Sequence, residues 1–166
     1  MSVTIRQASL DDVPGIMATH KAAATQPVGL ARTPEEITEG YVRDVVETPG
    51  GVCLVAVSPE GDICGEIHAR RERVAIFSHV LGGVTVAVRP DRQGQGVGSK
   101  LFKALIAEAR TMSPPVLRIE LAAGAGNLDA IRLYERLGFQ HEGRQPKRGL
   151  YPDGRFEDDI LMGMLL

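Results

Sequence analysis

Apolar residues along this chain switch between a period of two and helical spacing, and the switches divide it into short elements. Residues 3–8 read as a strand. Asp11 and Asp12 stand just ahead of Pro14, whose missing N–H costs nothing in a first turn, so a capped helix follows. A loop over residues 25–34 leads to a second helix over roughly 34–48. Thr33 and Glu36 supply a capping-box pattern at its start. Residues 52–57 and 63–70 read as strands joined by a Ser-Pro-Glu-Gly-Asp turn, while 71–79 fits either an extended strand or a loop. Val84, Val86 and Val88 recur with period two, as a pleated strand requires. Leu101, Phe102, Leu105, Ile106 and Ala109 then share one face of a helix that the prolines at 114 and 115 stop. Residues 116–121 give a further strand, and Asn127 caps a helix that closes at Gly138. Two last strands turn at Tyr151-Pro152-Asp153-Gly154. The order predicts an α/β (α+β) fold: a mixed, mostly antiparallel central sheet of six to seven strands with helices on both faces.

Composition narrows the class without naming a chemistry. The 166 residues suit one domain over 1–166, and 43% apolar with 24% charged residues allows a normal core. A net charge of −2 without long like-charged runs gives no footing for nucleic acid or a membrane surface. No stretch of about 18 apolar residues predicts a membrane span. The start of the chain lacks a basic-then-apolar leader, so a cytoplasmic protein is expected. Cys53 and Cys64 sit in apolar segments and read as small buried hydrophobes, with neither a disulfide nor a metal expected.

Candidate chemistry concentrates between Val84 and Arg110, where strand, glycine-dense loop and helix follow one another. Glycines let backbone N–H groups approach a ligand, and a helix N-terminus adds unpaired donors and partial positive charge. The pattern suits a pyrophosphate. It is not the dinucleotide fingerprint, because Ser99 stands where a third glycine belongs. Nor is it the triphosphate loop, because the order here is Gly98-Ser99-Lys100. What remains is Gln93-x-x-Gly96-x-Gly98.

That motif resembles the signature of the GNAT superfamily of acyl-CoA-dependent N-acetyltransferases. The segment from Asn127 through Tyr134 to Gly138-Phe139 resembles the family's second coenzyme-facing segment, and the start, IRQASLDDVPGIM, resembles its first strand and helix. The resemblance spans nearly the whole chain. It implies acetyl-CoA as co-substrate and direct transfer of the acetyl group to a primary amine of a small molecule or amino acid. Val86, Ala87 and Val88 would then pair with the pantetheine arm. Gln93, Gly94, Gln95, Gly96, Val97, Gly98 and Ser99 would surround the diphosphate. Asn127 would meet the pantetheine region as well as cap its helix. Tyr134 would be the acid at the sulfur, or else a core aromatic. A homodimer through the C-terminal strands is also common in the family.

One part departs from the family pattern. Many relatives carry a Glu on the strand before the glycine loop, and here that strand reads Val-Thr-Val-Ala-Val. Glu120 is the preferred base on sequence grounds, being on a strand that flanks the expected cleft. Glu66, Asp159 or a water chain could serve instead. His68 alternates with Glu66 and can pair with it, and His79 is the histidine expected nearest the substrate. Residues 25–32 and 151–156 are expected to rim the acceptor site. Asp158 and Asp159 in an apolar strand imply an exposed face or a cationic partner. Besides the small-amine enzyme, two readings stay open: a non-catalytic acyl-CoA sensor or interaction module, and acetylation of a protein N-terminus or lysine.

Overall fold

Alternating valines and helical stripes find each other across one seven-stranded sheet in the structure, a computed structural model that describes residues 2–166. The strands are β1 (Thr4–Gln7), β2 (Val52–Val57), β3 (Ile63–Arg71), β4 (Val80–Val88), β5 (Arg118–Gly124), β6 (Gln140–Leu150) and β7 (Phe156–Leu165). Their spatial order is β1-β2-β3-β4-β5-β7-β6. Only β4 and β5 pair in parallel, and every other neighbouring pair is antiparallel. The helices are α1 (Val13–Ala24), α2 (Glu39–Val46), α3 (Val97–Thr111) and α4 (Leu128–Leu137).

Each face of the sheet has its own core. Val52, Leu54 and Ala56 of β2 and Ile67 of β3 point toward α3 and α4, where they meet Leu101, Phe102 and Leu105, all fully buried. Burying each such side chain contributes about 1.5–3 kcal/mol. Val55 on the opposite face packs with Val13 and Ile16 of α1 and Val42 of α2. Gly65 sets how closely α3 lies on the sheet, since an added Cβ would stand 3.0 Å from both Leu101 Cδ1 and Val97 Cγ1. The loop before α3 is held near the strand ends as a result.

The second helix is shorter than the pattern predicts. The Thr33–Glu36 box is present, with the Thr33 N–H donating to Glu36 Oε2 at 2.8 Å, but it caps only a single 3₁₀ turn, Pro34–Glu36. Thr38 caps α2 itself by accepting from the Tyr41 N–H at 3.2 Å. The ambiguous stretch after β3 resolves into a loop with a short turn at Ala75–Phe77, and β4 begins at Val80. β5 runs on to Gly124, through residues that read as a loop, because its partner β7 continues the ladder to Asp159. Both cysteines are free and buried.

Candidate active site

β4 and β5 share a ladder only at Val80↔Arg118 and Leu81↔Ile119. Beyond that point each strand keeps its outer neighbour, β3 or β7, and the two inner edges part. A cleft of about 790 Å³ passes through the opening, with Val84, Thr85 and Val86 on one side. Ala122, Ala123, Gly124, Asn127 and Tyr134 form the other side. Strand edges that part leave amide and carbonyl groups able to receive an extended, amide-bearing arm. Of the strand residues expected to face that arm, Val86 lines the cleft. Ala87 is buried opposite Glu66, and the Val88 carbonyl accepts from the Gln93 side chain at 3.2 Å.

The glycine loop ends at the N-terminus of α3. Gly94 and Gly96 have φ of +73° and +79°, backbone that side chains other than glycine rarely adopt, and Gly96 is the N-cap. The Gln93 N–H turns back to the Pro90 carbonyl at 3.4 Å. The Lys100 N–H bonds Gly96, and none of the N–H groups from Gly94 to Ser99 meets a backbone carbonyl among the described residues. Gln93 thus anchors the loop instead of donating its own amide. The donors begin at Gly94 and coincide with the positive end of a fifteen-residue helix.

Tyr134 and Asn127 both lie on the cleft wall. The Asn127 side chain accepts from the Ala130 N–H at 3.3 Å, so it is an N-cap whatever else it does. Tyr134 packs on Phe102 at 5.0 Å between ring centroids, and on Phe139 at 6.1 Å. It is both a core aromatic and a cleft residue. Burial alone pushes its hydroxyl up to about 12, so it holds its proton at any working pH.

Across the sheet, on the face covered by α1 and α2, lies a polar cluster of which local sequence reveals only the Glu66–His68 pair. Glu66 is fully buried. His20 Nε2 stands 2.6 Å from its Oε2, and His68 Nδ1 stands 3.0 Å from its Oε1. The Cys53 thiol donates to Oε1 at 3.2 Å, and Tyr41 rests edge-on to both imidazoles. Burial works to raise the Glu66 pKa. A protonated His68, when present, and the hydrogen bonds of His20 and His68 outweigh it and lower the carboxylate to about 2. The same burial, with Glu66 alongside, pushes the Cys53 thiol far up, so it is inert as a nucleophile. His20, Glu66 and His68 have atoms of metal-ligating type within 4.8 Å of one another. Their 2.6 Å contact is nevertheless shorter than the roughly 3.3 Å between two ligands on a tetrahedral zinc with bonds of about 2.0–2.1 Å. It is a hydrogen bond.

Glu120 does not join the site. Its carboxylate accepts from Arg118 at 3.0 Å, and the residue stands before Ala122 on β5, outside the lining of the cleft. Alternation turns Glu120 away from the core but leaves it on the part of β5 nearer the ladder to β4, ahead of the opening. His79 also falls outside the lining, just before the first residue of β4. Asp159 lines the cleft, and so do residues of both expected rims, among them Leu30, Arg32, Tyr151 and Pro152. Asp158 has its cationic partner, Arg144, whose Nε donates at 2.7 Å. His20 and Tyr41 are the members that sequence reading missed. His20 sits four residues after Ile16 and three before Ala23, on the buried stripe of α1, and that placement was its only signal.

Comparison with known proteins bears on this geometry. The acetyltransferase (GNAT) family signature matches residues 18–139. The methionine sulfoximine/methionine sulfone acetyltransferase of Pseudomonas paraeruginosa is 33% identical over 154 residues, covering 90% of this chain and 87% of its own. The ribosomal protein bS18-alanine N-acetyltransferase of Escherichia coli is 42% identical over 95 residues, 54% of this chain and 61% of its own. In fold, the chain superposes with a TM-score of 0.86 on a phosphinothricin acetyltransferase of Sinorhizobium meliloti solved with acetyl-CoA. That match has 22% identity and covers 100% of this chain and 89% of the other. Among the described residues no helix is long and apolar enough to cross a membrane. With its parted strands, its amide-lined loop and a family match across most of its length, this chain belongs to the GNAT acetyltransferase family and is an acetyl-CoA-dependent N-acetyltransferase.

Proposed function

We propose that the acceptor is the amine of a small, amino-acid-like molecule, acetylated by direct attack on the thioester. The observation that carries this reading is the cleft between β4 and β5. It runs from Tyr134 to a basin walled by Arg32, Glu36 and Tyr41, and this basin adds about 310 Å³. Arg32 and Arg148 offer cations, while Glu36, Glu157 and Asp159 offer carboxylates, so both ends of a zwitterion find partners. The methionine sulfone acetyltransferase, matched over nearly its full length, supports a small acceptor more than the shorter ribosomal-protein match supports a peptide.

In this reading the amides from Gly94 to Ser99 hold the diphosphate and the inner edge of β4 holds the pantetheine arm. The acetyl carbonyl then lies in the opening. As the carbon–sulfur bond breaks, the electron pair goes to sulfur and Tyr134 supplies its proton. A thiol has a pKa of about 8.5 and Tyr134 one of about 12, so full transfer alone runs about 5 kcal/mol uphill. Tyr134 therefore gives its proton only as it recovers the one that nitrogen must shed. Its contribution belongs at the low end of the usual 10²–10⁴-fold for positioned donors, or somewhat below.

Release of free thiol from acetyl-CoA, measured against L-methionine sulfone, phosphinothricin, lysine and an alanine-initiated peptide, tests the acceptor. Turnover with a free amino-acid analogue is expected. Turnover with the peptide alone would overturn the small-molecule reading in favour of a protein N-terminus.

A further inference from the structure

We propose that His68 is the base that takes the proton from the acceptor ammonium, with Glu66 and His20 as positioning residues that hold it from beneath. The inference rests on the acetyl-transfer reading of the cleft and supplies what the carboxylate-free strand β4 lacks.

Placement comes first. His68 is buried and does not itself line the cleft; it lies directly opposite Thr85 in the β3–β4 ladder, and Thr85 lines both the cleft and the adjoining basin. Tyr41, 6.5 Å from His68 between centroids, lines the adjoining basin. Glu66 and His68 point to the face of α1 and α2, whereas Tyr134 belongs to the core under α3 and α4. The opening between β4 and β5 joins the two faces. An acetyl group held there has Tyr134 on one side, beside the sulfur, and on the other Thr85 with His68 one strand behind it, toward the basin where the amine would arrive.

Hydrogen bonding then decides which imidazole does the work. Glu66, held ionised, accepts from His68 Nδ1, so the lone pair of neutral His68 is at Nε2. His20 donates from Nε2 to the same carboxylate, and its Nδ1 is buried without a partner. A second proton on His20 would create an enclosed N–H with no acceptor, which is costly. On His68 it would sit at Nε2, which makes no hydrogen bond among the described residues yet is not fully enclosed. The cluster therefore loads its proton on His68, and the Glu66 carboxylate stabilises the resulting imidazolium, as the aspartate of a hydrolase triad does. The other titratable or charged groups around it are Cys53 from β2, Tyr41 from α2 with Arg32 stacked at 4.1 Å, and Arg70 further along β3. From β4 the neighbour is Thr85, which carries no charge.

The step balances. The ammonium gives one proton to His68 Nε2, and the freed nitrogen pair forms the carbon–nitrogen bond. The carbon–sulfur bond breaks toward sulfur, sulfur takes the Tyr134 proton, and the second nitrogen proton restores Tyr134. His68 then releases its proton to water.

The test compares wild type with His68→Gln, using acetyl-CoA and whichever amine of the panel the wild type acetylates. We expect kcat/KM to fall about 10²- to 10⁴-fold while acetyl-CoA raises the melting temperature of both proteins equally. The bend at the pH where His68 ionises should vanish from the profile of the variant. Its residual rate should climb tenfold per pH unit with the free amine. Glu66→Gln and His20→Asn should shift that bend and fall in kcat more than in KM. Where either fails to fold, His68→Gln stands alone. Retained kcat/KM with an unchanged bend in His68→Gln would overturn the proposal and leave acetyl transfer intact. Absence of both acetyl-CoA binding and thiol release in wild type would instead remove the reading of the cleft. Independently of any acceptor, ¹⁵N-histidine spectra should show His68 protonated at Nδ1 and titrating at Nε2. A fixed proton on Nε2 would sink the assignment.

Discussion

The two walls of the cleft are made of different material. The side proposed for the coenzyme is main chain: the inner edge of β4 and, beyond the cleft, the amides from Gly94 to Ser99 at a helix end. The side proposed for the acceptor is side chain: Arg32, Glu36 and Tyr41 line the basin, and behind them lies the buried cluster in which His20 and Glu66 are separated by 46 residues. A site built from backbone needs glycines at set spacings and so writes itself into a short stretch of sequence. A site assembled from side chains needs only that the fold bring them together.

That contrast predicts different failures. Glu66→Ala removes the shared acceptor of two enclosed imidazoles and a thiol. A loss of about 3–5 kcal/mol in urea unfolding is expected, as when one partner of a buried pair is deleted. Acid should do less damage by the same route. The Glu66 pKa is lowered in the fold from an ordinary value near 4.5, so its stabilisation is complete above that value. It drains away as pH falls from about 4.5 toward 2. Urea midpoints recorded across that window check the direction, and a flat profile would mean the cluster is not ion-paired.

On the coenzyme wall the damage should be local. Gly96→Val places a branched side chain at φ +79°, with strain of about 1–3 kcal/mol. Acetyl-CoA affinity, measured calorimetrically, should fall further than stability does. Tyr134→Phe should lower kcat roughly 10- to 100-fold, or about 1.4–2.7 kcal/mol of barrier, with acetyl-CoA affinity unchanged. Unaltered turnover would take Tyr134 out of the chemistry. The smallest effect belongs to Glu120→Gln. It loosens a half-exposed pair with Arg118 worth at most about 1 kcal/mol and should leave kcat as it was.

Legibility in the sequence followed the same division. The valine alternation of β4, the stripe of α3 and the caps at Asn127 and Gly138 were readable because each depends on neighbours a few residues away. The loop around Gly96 was readable for the same reason. The limits of β5 were not, since Ala122 to Gly124 are extended only because β7 pairs with them. Nor was α2, whose start moved to Thr38 once Pro34–Glu36 closed into its own turn. Glu66 and His68 showed as an alternating pair, but nothing near them in the chain announced His20. Glu120 looked well placed from its strand alone; the distance along β5 to the opening is a property of the ladder, and no spacing encodes it.

The short ladder between β4 and β5 has one more outcome. In the proposed complex acetyl-CoA bridges the parted edges of the sheet, so its supply is expected to bear on how long the protein lasts. Acetyl-CoA at 100 times its dissociation constant holds the folded form by about 2.7 kcal/mol. During scarcity the open seam is then expected to be easier for proteases and for stray strands from other chains to reach. The catalyst is thereby expected to become short-lived in the same circumstances that leave it without work.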